Sequence, residues 1–195
     1  MATESSFKNM VLRLSEVCLV CSALLGLVYG VTKAPIEAAA VAKTNAAISA
    51  VVPAFDNTPS EEVFKVGIAD GDSLSVFPAT SGGVPVGYAV ESNTNKGFSG
   101  TVKVMVGFDA EGNICGTSVI SHSETPGLGA KMTEPSFYGQ FKGKNPASFK
   151  LAVKKDGGDI DAITAATISS RAYADALSRA YTVFQSITDK SECNE

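Results

Sequence analysis

Three regimes of apolar patterning follow one another along the chain. Between Val17 and Thr32 no charged residue interrupts an apolar run. A helix that spans a bilayer needs about 20 such residues. The run is slightly short, which places Arg13 and Glu16 near one interface, where a long Arg side chain can snorkel. From Lys33 to Ala50 alanine dominates, predicting a helix that continues past Pro35. Pro53 to Ser60 reads as a break. Beyond it the pattern becomes that of strands, rich in Val and Phe with Gly or Pro between them. The predicted strands are Val63–Ile68, Leu74–Phe77, Pro85–Glu91, Gly100–Phe108, Ile114–Ser121 and Phe149–Lys155. Val102, Val104 and Val106 alternate with Lys103, Met105 and Gly107, which predicts a half-buried strand. Asp109-Ala110-Glu111-Gly112-Asn113 is a turn signal that joins this strand to the next as a hairpin. Pro135–Gln140 reads as a short helix. The third regime is helical: Ala172, Ala176, Leu177, Ala180, Val183, Phe184 and Ile187 form an apolar stripe, predicting a long helix over Thr167–Ile187.

These elements predict an α+β fold, one domain of antiparallel sheet and helices tethered by an N-terminal transmembrane helix. The expected boundaries are an anchor at 1–33, a helical linker at 34–60, the domain at 61–188 and a polar tail at 189–195. A cleaved signal peptide, with a small-residue site near Ala38-Ala39-Ala40, is the rival reading of the first segment.

Composition narrows the partners. The chain has 16 Lys plus Arg against 20 Asp plus Glu, a formal net charge of −4, with no basic block and no interleaving of aromatic and basic residues. Nucleic acid is therefore excluded as an expected partner. Lys8 and Arg13 precede the apolar run, and Lys33 and Lys43 follow it, so positive charge gives no clear orientation. The four cysteines form no evident disulfide framework. Cys18 and Cys21 lie one helical turn apart inside the run. They read as small apolar residues packing on a partner helix, or else as a site for a metal, cluster or acyl chain. Cys115 follows a turn, and Cys193 lies in the polar tail. His122 is the single histidine; a structural, hydrogen-bonded role competes there with a proton-transfer role.

The densest chemistry lies at Asp161-Ala-Ile-Thr-Ala-Ala-Thr-Ile-Ser-Ser-Arg171. Thr164 and Thr167 fall at the predicted helix start, where free N–H groups and the positive end of the helix dipole suit a phosphate. Ala165 and Ala166 leave room for a close backbone approach. The competing reading is an ordinary capped helix, with Asp161 or Thr164 as N-cap and Ile168 in the buried stripe. A second segment, Glu124-Thr125-Pro126-Gly127-Leu128-Gly129, has two glycines that permit unusual backbone angles and a proline that stiffens the turn. It suits the edge of a flat ligand or a plain turn.

Asp161-x-x-Thr164-Ala165-Ala166-Thr167 resembles the flavinylation motif of the FMN-binding domain family, which includes the G subunit of the Rnf complex and the C subunit of the Na+-translocating NADH:quinone reductase. The usual motif there is Asp-x-x-Ser/Thr-Gly-Ala-Thr, so Ala165 stands where the family usually has Gly. Glu124 to Gly129, preceded by His122-Ser123 and followed by Ala130-Lys131, resembles the loop that the family packs near the flavin ring. Gly97-Phe98-Ser99-Gly100 and Phe137 to Phe141 are weaker matches. The resemblance runs from about Ala34 to Thr188. The short chain with one apolar segment is closer to the Rnf G subunit.

The resemblance implies FMN joined to Thr167 by a phosphoester, attached by a dedicated flavin transferase. It implies that Thr164, Ala165, Ala166 and the Glu124–Gly129 loop bind the cofactor. Lys131 would offset charge on the phosphate or the reduced flavin, and Asp161 would present the helix start or serve recognition by the transferase. It further implies an electron-transfer subunit in a complex coupling ferredoxin:NAD+ electron transfer to ion pumping, with other subunits of the complex and lipid as partners. The anchor would lie in the cytoplasmic membrane and the domain on its extracytoplasmic side. No Rossmann fingerprint or catalytic base is evident, so turnover by this chain alone is not expected. Two alternatives stay open: a membrane-anchored binding module without a redox role, and a stand-alone flavoprotein reductase domain.

Overall fold

A computed structural model of the chain describes residues 7–68 and 71–192; Cys193 and the last residues of the expected tail lie outside them. The chain divides into two compact units after Ala42. Helix α1 covers Phe7–Val51, with Pro35 inside it. In the first unit its apolar side chains, among them Leu19, Leu25 and Leu27, are exposed. Among the described residues it is the one helix long and apolar enough to cross a membrane. Cys18 and Cys21 are both exposed on it.

The second unit is built on a five-stranded antiparallel sheet whose spatial order follows the chain. Its strands are β1 Phe64–Gly67, β2 Ser73–Ser81, β3 Val84–Thr94, β4 Val102–Asp109 and β5 Ile114–Ser121. After β5 come a 3-10 turn at Gly129–Thr133, the short helix α2 at Pro135–Tyr138 and a 3-10 turn at Gly139–Phe141. The long helix α3, Thr167–Glu192, completes the unit. The α+β class, the β4–β5 hairpin and the long last helix agree with the sequence-based expectation. β2 runs past its expected end at Phe77 to a tight turn at Gly82 and Gly83, both with positive φ of 60° and 79°. Positive φ at both central residues is the signature of a type I′ two-residue hairpin turn.

Strand β4 is not half-buried as its alternation predicts: Val104, Met105, Val106 and Phe108 are all fully buried. Both faces of the sheet are covered. Val104, Val106 and Phe108 face the core under α3, where Ala172, Ala176, Leu177, Ala180 and Val183 pack. Met105 faces a second core formed with Ala89, Phe77 and the end of α1, through Ala47, Ile48, Val51 and Val52. The seat for that helix end is a row of small residues. Ala89, Gly107 and Gly116 are neighbours across β3, β4 and β5. A Cβ on Gly107 would run into the carbonyl group of Val51, and one on Gly116 would lie 3.1 Å from the Val51 Cα.

The expected strand at Phe149–Lys155 is absent. Its residues instead bond to the segment just after them: Asp159 N–H donates to the Lys150 carbonyl (3.1 Å), Ile160 N–H to Ala152 (3.0 Å) and Lys154 N–H to Ile160 (2.9 Å). The only bridge there is Val153 to Ile160. At the start of β5 the edge is taken by an earlier segment, residues 143 and 144. Ile114 N–H already donates to the Lys144 carbonyl at 2.9 Å, and Gly143 N–H to the Ile114 carbonyl at 2.7 Å.

An aromatic cluster joins α3 to the turns before it. Tyr173 stacks on Phe141 at 5.4 Å and meets Phe137 edge-on at 5.2 Å. Its hydroxyl donates to Thr117 Oγ1 at 2.8 Å. Burial pushes the Tyr173 pKa well above the ordinary tyrosine value. Tyr173→Phe should cost about 1–2 kcal/mol in denaturant unfolding, because the buried Thr117 hydroxyl loses its partner; an unchanged midpoint would show that bond to be dispensable. Cys115, next to the hairpin turn, also has a raised pKa, first through burial and then through Asp109 and Glu111. Its thiolate is therefore scarce at neutral pH.

Candidate cofactor site

Helix α3 starts from a strained turn. Ala166 N–H donates to the Ile163 carbonyl at 3.0 Å, closing a turn around Thr164 and Ala165. Ala165 adopts φ +61°, making it the one non-glycine residue with positive φ among the described residues. An L-residue there costs about 1–2 kcal/mol, so the conformation must be imposed by its surroundings. The buried Ser170 hydroxyl does this: it accepts from Ile163 N–H at 2.9 Å and donates to the Ala166 carbonyl at 3.0 Å. Position 165 thus calls for Gly on backbone grounds, which accounts for the Gly usual in the motif that this segment resembles. Ala165→Gly should raise stability by about 1 kcal/mol, since relief of the strain exceeds the extra chain entropy. Thermal unfolding would show it, and a lowered midpoint would mean that the turn is not strained.

Neither Asp161 nor Thr164 caps the helix. It begins at Thr167, so the cap position falls on Ala166. Asp161 is exposed, pairs with Lys154 at 2.7 Å and exchanges backbone hydrogen bonds with the Gln140 amide. The first N–H groups of α3, at Thr167, Ile168 and Ser169, are those that a helix start leaves without intrahelical partners. Ile168 departs from the predicted buried stripe, being 47% exposed.

A cleft of about 320 Å³ opens at this helix start, lined by Phe98, Glu124, Thr125, Leu128, Gly129 and residues 165–169. Sites of this size take small ligands. Phe98, Leu128 and Ile168 are exposed to 68%, 43% and 47%, and all three line the cleft. They form an apolar wall beside a helix start that favours anions. The Phe98 segment is fastened to α3 on one side, where Thr94 Oγ1 and Lys96 Nζ reach Asp175 at 2.7 and 2.6 Å. On its other side Ser99 N–H donates to Glu124 Oε1 at 3.1 Å. Glu124 is itself buried, and its Oε2 accepts from Ser169 Oγ at 2.6 Å.

Of the residues singled out in the sequence, Glu124, Thr125, Leu128, Gly129, Ala165, Ala166 and Thr167 line the cleft. Pro126, Gly127, Lys131, Asp161 and Thr164 do not line it and are exposed. Gly127 serves the turn with φ 77°, and the Thr125 carbonyl accepts from Leu128 and Ala130 N–H, both at 3.2 Å. His122 Nδ1 accepts from Glu124 N–H at 3.2 Å, a structural use. Phe98, Ile168 and Ser169 line the cleft although the sequence does not mark them as site residues. The legible signal for the first is Gly97, whose Cβ would clash with the Gly100 carbonyl and approach Glu124 Oε1 to 2.8 Å.

Residues 97–182 match the FMN-binding domain family, a span that begins at Gly97 and ends within α3. The chain is 34% identical over 177 residues to the G subunit of an ion-translocating oxidoreductase complex from Shewanella loihica, covering 85% of this chain and 84% of that relative. It is likewise 34% identical over 183 residues to the corresponding G subunit from Methanosarcina acetivorans, covering 91% of this chain and 94% of that one. In fold it resembles the crystal structure of Shewanella oneidensis NqrC, with a TM-score of 0.51 at 20% identity, covering 71% of this chain and 75% of that one. With that breadth of similarity to relatives of nearly its own length, the chain belongs to the family of G subunits of ion-translocating oxidoreductase complexes.

Proposed function

We propose that this chain is the electron-carrying G subunit of an Rnf-type ferredoxin:NAD+ oxidoreductase and that it holds FMN through a phosphoester to Thr167. One observation carries the reading: Thr167 is the first residue of α3 and lines a cleft whose other wall is exposed Phe98, Leu128 and Ile168. These residues fit the group. The N–H groups of the helix start favour a phosphate, and the apolar wall would be covered by a flat ring system. When bound, FMN supplies the electron-accepting and electron-donating chemistry. The protein would supply the attachment oxygen on Thr167, the N–H groups of the helix start for the phosphate, and apolar surface from Phe98, Leu128 and Ile168 for the ring. The covalent bond keeps the carrier from dissociating.

In this reading residues 1–33 are the membrane anchor, and residues 34–60, helical as far as Val51 and with 47–52 packed on the sheet, lead into the flavin domain at 61–188; 189–195, where α3 ends, are a tail. The domain stands on the extracytoplasmic side of the cytoplasmic membrane. A flavin transferase attaches the cofactor, lipid surrounds the anchor, and other subunits of the complex give and take the electrons. The chain does not turn over alone. Outside the cleft, Asp161 is exposed for the transferase, Thr164 belongs to the turn before the helix, and Lys131 supplies positive charge near the loop.

The full chain, co-expressed with a flavin transferase, tests this by fluorescence in a denaturing gel and by intact mass. A fluorescent band with a mass gain of FMN less one water supports it. Unmodified protein beside an active transferase control would sink it and favour the binding-module alternative.

A further inference from the structure

Glu124 occupies an uncommon position for a carboxylate. Its side chain is buried, with the residue only 5% exposed. Oε1 accepts from Ser99 N–H at 3.1 Å and Oε2 from Ser169 Oγ at 2.6 Å, so both oxygens act as acceptors, as in the ionised form. Three segments that line the cleft, around residues 98, 125–129 and 165–169, therefore meet at one carboxyl group. Glycines on two sides make room for it. A Cβ on Gly129 would run into Glu124 Oε2 and Ser169 Oγ, and one on Gly97 would lie 2.8 Å from Oε1. Among the described residues the ion pairs found involve other carboxylates, and none pairs a cation with Glu124.

A buried charge without a cation is costly. If bracing three segments were its whole task, a glutamine of the same shape would accept from Ser99 and reach Ser169 without that cost. A group that breaks a packing rule while fully engaged in hydrogen bonds is where function is expected. In a low-dielectric wall, a fixed negative charge opposes the electron density added to a neighbouring ring on reduction.

We propose that Glu124 is the positioning residue of the cleft and that its charge, held by hydrogen bonds from Ser99 N–H and the Ser169 hydroxyl, holds down the reduction potential of the flavin. The inference rests on the flavin reading above. Glu124 does this through the cleft wall and needs no bond to the ring.

The test compares the full chain, flavin-loaded by co-expression with the transferase, as wild type, Glu124→Gln and Ser169→Ala. Covalent flavin per chain and the midpoint potential from a spectroelectrochemical titration are read for each. Glu124→Gln keeps the shape and removes the charge, so in the chains that carry flavin the potential moves positive. Ser169→Ala keeps the charge and removes its shortest screening hydrogen bond, so the potential moves negative. Opposite signs are a signature that loosened packing would not produce. Shifts of the same sign, or potentials unmoved in both loaded variants, overturn the inference and leave the flavin reading standing. Should Glu124→Gln fail to fold, Ser169→Ala alone decides by the sign of its shift. A wild type without flavin overturns the flavin reading, and this inference with it.

Discussion

Thr167→Ala is expected to remove all covalent flavin while the chain unfolds within a few degrees of wild type. The chemical half follows from place: Thr167 offers the one hydroxyl at the first position of α3, inside the cleft and next to the free N–H groups. The structural half follows from what the side chain does not do. It is half-buried and sits where the helix has just begun. Ala has the higher helix propensity, by at most about 0.7 kcal/mol. A surface-type change with no buried partner typically stays within about 0.5 kcal/mol. Thr164→Ala is the matched control, a threonine three residues earlier, exposed and not lining the cleft; it should keep the flavin. Mass spectra in which Thr167→Ala still carries the FMN increment, or in which Thr164→Ala alone loses it, would move the attachment elsewhere.

The largest effect on stability is expected at Gly107→Val. Position 107 lies in β4, opposite Ala89 and Gly116, on the face that receives the end of α1. A Cβ there would overlap the Val51 carbonyl oxygen, lie 2.5 Å from its carbonyl carbon and 3.0 Å from its Cβ. The first two are backbone atoms, so no side-chain rotation relieves the clash. Either the strand bends or residues 47–52 leave the sheet. Leaving would expose Ile48, Val51 and Met105, now 1%, 1% and 0% exposed. Overpacking of this kind costs about 3 kcal/mol, enough to take much of the stability of a domain this size. Denaturant unfolding measures it, and hydrogen exchange at residues 47–52 would show where the structure opens. A wild-type midpoint would mean that the seat is not tight. Gly116→Val, facing the Val51 Cα at 3.1 Å, should cost less.

What the sequence made legible was whatever its own neighbours determine. The β4–β5 hairpin could be read because Asp109 to Asn113 sets the turn locally: Gly112 has φ 81°, and Asn113 N–H bonds Asp109 Oδ1 at 2.8 Å. Helix α3 could be read from its stripe. Thr167, Glu124 and Gly129 were visible through motif resemblance, and the structure brings them to one cleft. Features decided by distant parts of the chain were not legible. Met105 and Gly107 looked like an outer face because their cover comes from Ile48 and Val51, far earlier in the chain. Ile168 fits the helical period but is 47% exposed and lines the cleft. The apolar beat of Phe149, Leu151 and Val153 suggested a strand, yet this segment bonds to residues 159 and 160 just after it, and the start of β5 is taken by residues 143 and 144. The strain at Ala165 was hidden because its cause is the Ser170 hydroxyl, a full helical turn ahead.

The order of the strands has a consequence in time. Each strand pairs with the next in the chain, β1 through β5, so the meander can assemble from short loops, each closed at little entropic cost. The cleft cannot. Its walls come from residue 98, from residues 124–129 and from residues 165–169, and the last of these arrive with α3 at the end of the chain. Until α3 docks, Val90, Val104, Val106 and Phe108 have no cover on that face, and the hydroxyl of Ser169 has not reached Glu124. On the proposed reading, Thr167 becomes part of a shaped site only once α3 has docked, so loading of the flavin there would be a late step in the life of the chain and a report that folding is complete.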